Sequence, residues 1–597
     1  MRKGIATVSL SGVLADKLPA IAAAGFDGIE LFDNDLIASP LSPGEVAARC
    51  CDLGLAVDLF QPVRDVEGVD PARFEEVLHR VRTKLGVMAE LGAATFLVCS
   101  NATLAAHDDR DLSAEQLHAV GELAAEQGMT LAYEALAWGR HVSRVRDAWD
   151  VVRRADHPAV TLAVDTFHML ARGDDGSALD DVPGDRIGFL QVADAPVLDM
   201  DVLEWSRHHR CFPGQGSLDV AGVVAATLTR GYRGPLSLEV FSDVVRESDP
   251  RRTAQAAMRS LLFLEDQVAA RVDGPAAALV TAAPPPPQQV DAAFLEVTST
   301  RGDHTVPRLL TQLGFTPVGR HVTKPVHWWR NGEAHVVVNE TPVAGPQAAL
   351  GVRAAPVAAV ADRARALLWP AVATTRGVDE APLPGITAPS GLHVFVSADP
   401  GGEGDWQDDF VPTGESGSGS LQGIDHVGVA VSSDVLDDEV AFFRTLFDLA
   451  PGAVEEFMEP QGRLRSRALR PTAGELRVVL NVEETGGGTP PLGVTQVALR
   501  TDDVAATVRG LRERGVPLMR VPDNYYRDLD ARFGLPTTLL DELRTHHLLY
   551  DRVGGGELLH AYTHVLPTGF YVEVLERRGG YDAYGSANTH VRLASQG

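Results

Sequence analysis

Four oxygen-bearing side chains end short apolar runs in the first half of the chain. Glu134 lies in TLAYEALAW, Asp165 in LAVDTFH, Gln191 in FLQVADA and Glu239 in LSLEVFS. Three of them are carboxylates and one is an amide, and such oxygen donors suit a hard divalent cation such as Mg²⁺ or Mn²⁺. Burying three carboxylates together is costly unless a cation or protons compensate their charge. We therefore predict a divalent metal site at these four residues; the alternative is that each is a solvated residue at the end of a strand.

Other polar residues lie near the same presumed strand ends. Glu30 ends the second apolar run and is a candidate catalytic residue. Arg64 follows the third run, and Arg210 precedes the glycine-rich FPGQGSLD. The two arginines could hold an anionic substrate by bidentate hydrogen bonds, or they could pair with nearby carboxylates. His168, three residues beyond Asp165, is a candidate general base because an unperturbed imidazole has a pKa near neutrality. Its alternative role is to support a metal ligand.

Strand-like runs alternate with helical patterns about eight times over the first ~270 residues, and this alternation must position those side chains. Near-continuous apolar strands separated by helices indicate a parallel sheet covered by helices. Eight repeats favour a closed (β/α)₈ barrel over an open doubly wound sheet, and no GxGxxG follows the first strand. In such a barrel the carboxyl ends of the strands meet on one face. The runs are IATVSL, GIELFD, LAVDLFQ, TFLVCS, TLAYEA, VTLAVDTF, IGFLQVAD and PLSLEVF.

Length and charge restrict the function further. A chain of 597 residues is too long for one hydrophobic core. The formal charge, 53 − 81 = −28, argues against a nucleic-acid partner. The four cysteines form no CxxC, the N-terminus has no secretory h-region, and no apolar run reaches about 18 residues. We expect a cytoplasmic protein with no membrane partner.

Two compositional breaks divide the chain. AAALVTAAPPPPQQVD contains four consecutive prolines, and a second stretch near residues 399–421 is rich in Gly and Ser. The segments that follow the two breaks read alike, as a strand, a helix and further strands, which predicts paired βαβββ modules. The predicted divisions are a barrel (1–274), a Pro-rich linker (275–289), a first modular half (290–398), a connector (399–420) and a second half (421–597).

The first ~270 residues resemble a known family. The set YEALAW, DTFHMLARGDD, LQVADA and LEVFSD, with LFQPVRDVEG upstream, is similar to bacterial 3-dehydroshikimate dehydratases, which belong to the sugar phosphate isomerase/epimerase-like TIM barrels. The resemblance implies a divalent ion (Mg²⁺, Mn²⁺ or Co²⁺) on Glu134, Asp165, Gln191 and Glu239. It also implies conversion of 3-dehydroshikimate to protocatechuate in quinate/shikimate catabolism. His168 would take the ring proton, and Arg64 or Arg210 would hold the carboxylate. Because the metal set is shared with sugar isomerases and epimerases, such an activity remains the alternative.

The second half carries another resemblance. IDHVGVAV, GVTQVALRTDDV, GFYVEVLERR, VPDNYYRDLDARF and the tail GYDAYGSANTHVRL are similar to 4-hydroxyphenylpyruvate dioxygenase, of the vicinal oxygen chelate superfamily. That family binds Fe(II) on two His and one carboxylate. His426 and Glu573 match this triad, but Gln496 stands at the second His. The resemblance implies that this half is mainly structural or regulatory, with a true keto-acid dioxygenase as the alternative. It leaves open a second divalent ion on these three residues, and it favours a homo-oligomer. A dehydratase-like barrel joined to a dioxygenase-like second half resembles the fused two-domain 3-dehydroshikimate dehydratases.

Overall fold

The computed structural model describes residues 1–341, 348–373, 376–377, 380–459, 462–485, 493–566 and 569–596. The chain divides into two compact units, Met1–Ala283 and Pro284–Gly597, which we call the barrel unit and the modular unit. The four cysteines are free thiols. Among the described helices, none combines the length and the apolar character that a membrane crossing requires. The finer division into linker, connector and halves stays a prediction.

The barrel unit is a closed barrel of eight parallel strands in sequential order, as the alternation predicted. Its interior is filled beneath the carboxyl ends by small and apolar side chains, among them Leu59, Leu97, Ala132, Ala163 and Phe189. The core is therefore packed, and only the carboxyl-end face is free for chemistry. The strands are β1 (Lys3–Ala6), β2 (Gly28–Phe32), β3 (Ala56–Val63), β4 (Thr95–Cys99), β5 (Thr130–Glu134), β6 (Val160–Asp165), β7 (Ile187–Val192) and β8 (Leu236–Leu238).

The longer helices cover the outside of the barrel, because each of them carries one apolar face that packs against it. The fourth helix buries Val77, Val81, Leu85 and Met88, which recur at helical spacing, and it ends at Gly92 with φ +72°. Glycine tolerates this left-handed conformation because it has no Cβ. The helices are α1 (Leu14–Ala23), α2 (Asp33–Ile37), α3 (Pro43–Asp52), α4 (Phe74–Leu91), α5 (Arg110–Ala125), α6 (Val145–Ala155), α7 (Thr166–Ala171), α8 (Val202–His208), α9 (Val220–Thr229), α10 (Asp243–Glu247), α11 (Pro250–Ala269) and α12 (Gly274–Ala277).

The strand register brings the predicted metal residues to one end of the barrel. Glu134 and Asp165 are the last residues of β5 and β6, and Glu239 directly follows β8. Asp165 pairs in register with Gln191, which lies one residue before the end of β7. Four consecutive strands thus deliver four oxygen donors at one level of the barrel.

The modular unit contains two eight-stranded sheets. Their strand orders are β14-β15-β13-β9-β12-β11-β10-β16 and β18-β19-β20-β17-β21-β24-β23-β22. The strands of the first sheet are β9 (Asp291–Thr300), β10 (Thr316–His321), β11 (Val326–Asn331), β12 (Ala334–Thr341), β13 (Ala348–Arg353), β14 (Gly385–Thr387), β15 (His393–Ser397) and β16 (Phe410–Pro412). Those of the second are β17 (Leu421–Ala430), β18 (Leu449–Glu459), β19 (Gly462–Pro471), β20 (Val478–Thr485), β21 (Gly493–Thr501), β22 (Leu549–Val553), β23 (Gly556–Tyr562) and β24 (Tyr571–Arg578).

Each sheet is built from paired modules, which confirms the predicted vicinal oxygen chelate architecture. In the second sheet β17 and β21 pair antiparallel at the centre, and each begins a strand–helix–strand–strand–strand module. The helices of this unit are α13 (Thr305–Gln312), α14 (Val357–Ala366), α15 (Leu436–Phe447), α16 (Val504–Glu513), α17 (Asp523–Phe533), α18 (Thr537–His546) and α19 (Thr589–Gln596).

Helix α15 joins the two halves of the modular unit through buried polar contacts. Glu439 is fully buried and accepts hydrogen bonds from the backbone N–H and the hydroxyl of Ser390, both at 2.8 Å. Nearby, Nε of Arg363 donates to the carbonyl of Thr445 at 2.6 Å. Burial raises the pKa of Glu439 to about 7, although the bonds from Ser390 oppose this rise.

We expect the stability of the modular unit to fall as the pH rises from about 4.5 to about 7. In that window folded Glu439 keeps a proton that the unfolded chain releases, so each pH unit costs up to ~1.4 kcal/mol. In Glu439→Gln the amide oxygen can still accept from the Ser390 N–H, while the amide NH₂ donates to the Ser390 hydroxyl. The side chain cannot ionise, so the melting temperature of this variant at pH 8 should exceed that of the wild type. Calorimetry at pH 5 and pH 8 checks this, with the exposed Glu513→Gln as control. Equal pH dependence in wild type and Glu439→Gln would contradict it.

Candidate active site in the barrel

Three carboxylates and one histidine meet at the carboxyl end of the barrel. Ligand atoms of Glu134, Asp165 and His168 all lie within 4.8 Å of one another, and all three side chains are buried. Glu239 belongs to the same cluster, because Arg210 contacts both its carboxylate and that of Asp165. The predicted residues of β5, β6 and β8 are therefore brought together.

The negative charges of the cluster repel one another, and Arg210 offsets only part of that repulsion. Burial raises the pKa of Glu134 well above its ordinary value, and the neighbouring Glu239 and Asp165 raise it further. Burial likewise raises the pKa of Glu239, although Arg210 opposes this. Burial would also raise the pKa of Asp165, but Arg210 and His168 lower it below its usual range. The protein offers a buried anionic site whose charge one arginine only partly offsets.

Arg210 lies inside the cluster rather than at its mouth. Its side chain is 1% exposed, and Nη1 donates to Asp165 at 2.9 Å and to Glu239 at 3.2 Å. The sequence left open whether Arg210 holds a substrate or pairs with nearby carboxylates, and the structure shows the carboxylate pairing. A role for Arg210 in holding the substrate stays a prediction.

His168 is buried and its ring faces two donors. The backbone N–H of Ala137 donates to Nδ1 at 3.2 Å, and Nη2 of Arg210 lies 3.1 Å from Nε2. A neutral imidazole offers a single lone pair, so only one of these donors can be hydrogen-bonded to the ring at a time. Burial lowers the pKa of His168 to about 3, helped by Arg210 and Arg64 and opposed by Asp165. Burial thus holds the pKa of this ring far below the unperturbed value from which its role as a base was argued, and that role stays a prediction.

Glu30 lies beneath the cluster and is fully buried. It accepts hydrogen bonds from Nε2 of Gln61 at 2.9 Å, from Nε2 of Gln191 at 2.6 Å, and from the hydroxyl of Ser237. Burial raises the pKa of Glu30 well above its ordinary value, and Glu239 adds to this. From this position its carboxylate orients the amide of Gln191; its predicted catalytic role stays a prediction.

A cavity of about 560 Å³ opens above the cluster, and its wall includes Glu134, His168, Glu239 and Arg64. Arg64 is exposed there, in the segment that follows β3. Nη2 of Arg80 donates to the carbonyl oxygens of Arg64 and Asp65, at 2.7 and 2.8 Å, and so fixes this segment. Within the part of the chain that the structure describes, we find no carboxylate paired with Arg64. Its guanidinium is available to an anionic ligand.

The donor set fits a divalent metal ion. Oε1 of Glu134 and Oε1 of Gln191 are buried oxygens with no hydrogen-bond donor. Leaving such atoms unsatisfied is costly, and a cation would satisfy both. Together with Asp165 and Glu239 they provide only oxygen ligands, the kind that Mg²⁺ and Mn²⁺ prefer.

The three residues singled out in the modular unit also meet, but as a closed network. Oε2 of Glu573 accepts from Nε2 of Gln496 at 2.5 Å and lies 3.3 Å from Nε2 of His426. Its Oε1 lies 2.7 Å from Nδ1 of His560, and the Gln496 carbonyl accepts from the hydroxyl of Tyr571 at 3.0 Å. The oxygens that would bind a metal here already have protein donors. Glu573 and Gln496 have no donor-free oxygen like those of Glu134 and Gln191 in the barrel. The second divalent ion therefore stays a prediction.

The charges in this network also compensate one another. Although burial favours the neutral ring, bonds to Asp425 and Glu573 raise the pKa of His426 to about 9. Burial favours neutral Glu573, but His426 and His560 lower its pKa to about 2. Asp425 is paired in turn with Arg577 at 2.7 Å.

Sequence reasoning missed two residues that contact the barrel cluster. Cys99 ends β4 just as Glu134 ends β5, and its thiol donates to Oε2 of Glu134 at 3.3 Å. The strand-end pattern could have identified it. Ser206, whose hydroxyl accepts from Arg210 at 2.8 Å, lies in a helix between β7 and β8 where no pattern marks it.

Comparisons with known proteins agree with this architecture. A family model described as xylose isomerase-like TIM barrel matches residues 18–266. A model described as the glyoxalase/bleomycin resistance protein/dioxygenase superfamily matches residues 423–538. A solved xylose isomerase-like TIM barrel/4-hydroxyphenylpyruvate dioxygenase fusion protein covers 100% of this chain at 40% identity, with a TM-score of 0.91 and 99% of its own chain covered.

Two relatives that match this chain over its full length have the same name. The 3-dehydroshikimate dehydratases of Pseudomonas putida and Pseudomonas aeruginosa are 41% and 42% identical to this chain, and each match covers 100% of this chain and 98% of the relative. A 4-hydroxyphenylpyruvate dioxygenase of Pseudomonas aeruginosa is 26% identical over 49% of the chain and 90% of that protein. The chain therefore belongs to the family of 3-dehydroshikimate dehydratases in which a xylose isomerase-like barrel is fused to a dioxygenase-like second half.

Proposed function

We propose that the barrel dehydrates 3-dehydroshikimate to protocatechuate with the help of one divalent metal ion. Full-length similarity to proteins named 3-dehydroshikimate dehydratase carries this conclusion. Three buried carboxylates and two donor-free oxygens beneath a cavity of about 560 Å³ support the metal. A divalent cation there would polarise the substrate ketone as a Lewis acid. Its ligands would be Glu134, Asp165, Gln191 and Glu239.

The reaction removes a proton α to the ketone and expels the hydroxyl β to it as water. His168 is our candidate for both transfers: Nε2 takes the carbon-bound proton and passes it to the departing hydroxyl, which returns the ring to its neutral form. A neutral imidazole takes a proton only at the nitrogen that holds its lone pair. For Nε2 to act, the ring must carry its own proton on Nδ1, which ends the hydrogen bond from the N–H of Ala137, and Nε2 must exchange its contact with Nη2 of Arg210 for the substrate proton. Protons balance within the site, and aromatisation of the ring makes the step effectively irreversible.

Arg64 is our candidate for holding the substrate carboxylate. It lines the cavity, is exposed, and lies close enough for its charge to act on His168 and Glu239. A guanidinium pairs with a carboxylate by two parallel hydrogen bonds, which would orient the ring above the cluster.

We further propose a structural role for the dioxygenase-like half. The closed bonding of Glu573 with Gln496, His426 and His560 supports this role, because the network is satisfied without a ligand. Assembly into a homo-oligomer stays a prediction.

Metal removal and two substitutions separate metal binding from proton transfer. Metal-stripped protein should form no protocatechuate, followed by its ultraviolet absorbance, until Mg²⁺, Mn²⁺ or Co²⁺ is added. Glu134→Gln should lose both the metal and turnover. His168→Ala should retain the metal while kcat falls by about 10²–10⁴-fold. The exposed Glu75→Gln serves as the matched control. Turnover at the wild-type rate by Glu134→Gln, or by stripped protein, would remove the metal from the proposal.

Arg64→Gln should raise KM for 3-dehydroshikimate by about 10–100-fold, the loss expected of a charge-assisted hydrogen bond. We expect little change in kcat, because the ketone and hydroxyl still react at the cluster. Arg82→Gln, an exposed arginine on α4, is the control, and steady-state kinetics at saturating metal measures both. An unchanged KM would exclude Arg64 as the carboxylate partner.

Glu573→Gln in the full chain should lower the melting temperature of the modular unit while leaving barrel turnover at 25 °C unchanged. Removing the anion between His426 and His560 leaves buried charge uncompensated, at a cost of about 3–5 kcal/mol. Calorimetry and the protocatechuate assay on one preparation compare the two effects. A changed kcat with an unchanged melting profile would favour a regulatory role instead.

A further inference from the structure

Arg210 has its hydrogen-bonding capacity filled by the protein. Nε and Nη2 donate to the hydroxyl of Ser206 at 3.2 and 2.8 Å, and Nη2 also faces Nε2 of His168 at 3.1 Å. Nη1 donates to Asp165 at 2.9 Å and to both the carbonyl and the carboxylate of Glu239 at 3.2 Å. No donor direction is left for a substrate carboxylate among the residues that the structure describes.

Two aromatic rings complete the enclosure of this guanidinium. It lies 4.5 Å from the ring centroid of Phe167 and 5.4 Å from that of Phe241. Cation–π contacts of this kind hold an arginine in place and exclude water from it. The side chain is 1% exposed, so Arg210 is a fixed part of the cluster.

A fixed cation changes the net charge of the proposed metal site. Glu134, Asp165 and Glu239 contribute three negative charges, and Gln191 contributes none. With Arg210 the set carries −2, which a divalent ion neutralises. Without Arg210 it would carry −3, which favours a more highly charged ion because ion–site attraction grows with the product of the charges.

We propose that Arg210 is the built-in counter-cation of the metal site: it orients Asp165 and Glu239 as ligands and sets the charge of the donor set for a divalent ion. Arg210 is thus a positioning residue, whereas Arg64 is the substrate contact. The inference rests on the proposed metal site but not on the identity of the substrate.

Ion-valence preference in the metal-free full chain tests this proposal. The dissociation constants of Mn²⁺, by calorimetry, and of Tb³⁺, by luminescence sensitised through Trp138 next to His168, are measured for each variant. Arg210→Gln should shift the ratio of the two constants toward Tb³⁺ by at least about tenfold relative to the wild type. Arg82→Gln, the exposed arginine on α4, should leave the ratio unchanged.

Arg210→Lys covers the case in which the glutamine variant does not fold. It keeps the charge and loses part of the hydrogen bonding, so the wild-type ion preference should persist with weaker binding of both ions. At saturating metal its KM for 3-dehydroshikimate should equal that of the wild type. A raised KM with unchanged metal binding would make Arg210 a substrate clamp and overturn the inference. Wild-type protein that binds no Mn²⁺ would instead overturn the metal site itself, and this inference with it.

Discussion

Mutual repulsion among three buried carboxylates is the constraint on which the barrel site depends. Glu134, Asp165 and Glu239 meet at the carboxyl ends of the strands, where burial alone favours their neutral forms. Arg210 stabilises the ionised form of Asp165 and part of Glu239, but the protein supplies no second cation inside the cluster among its described residues. A bound cation would stabilise a site with this imbalance, because it would remove a cost that folding has already imposed.

The barrel makes this arrangement possible because its strands are short, parallel and in register. Side chains at the ends of β5 to β8 converge at one level, while the layer below is filled by residues such as Ala132 and Phe189. Glu30 then connects the second strand to the seventh by accepting a hydrogen bond from Gln191. This bond engages the nitrogen of the amide, and the amide oxygen is buried without a hydrogen-bond donor. The same barrel therefore holds the three carboxylates close together, at an electrostatic cost, and orients the amide of Gln191.

Much of this could be predicted from the sequence, and the limits have physical reasons. The eight-fold alternation and the strand-end positions of Glu134, Asp165 and Glu239 follow from periodicity, which is local information. The pairing of Arg210 did not follow, because its segment between β7 and β8 has no periodicity and its partners lie 29 and more residues away. The low pKa of His168 was also out of reach, since it depends on complete burial beside two arginines. Cys99 could have been found, because it ends its strand in the same way as Glu134 does.

The two polar clusters of the chain show why a shared set of residue types does not imply a shared chemistry. The barrel cluster contains like charges, donor-free oxygens and an adjoining cavity, so its bonding is completed only by something from outside. The cluster around Glu573 contains as many charged groups, but His426 and His560 bond to both of its oxygens. With an imidazole at position 496, a ring nitrogen would take the place of the amide N–H that now donates to Glu573. Gln496 therefore stabilises the network directly. It donates a hydrogen bond to Glu573 and accepts one from Tyr571, and neither bond requires a metal.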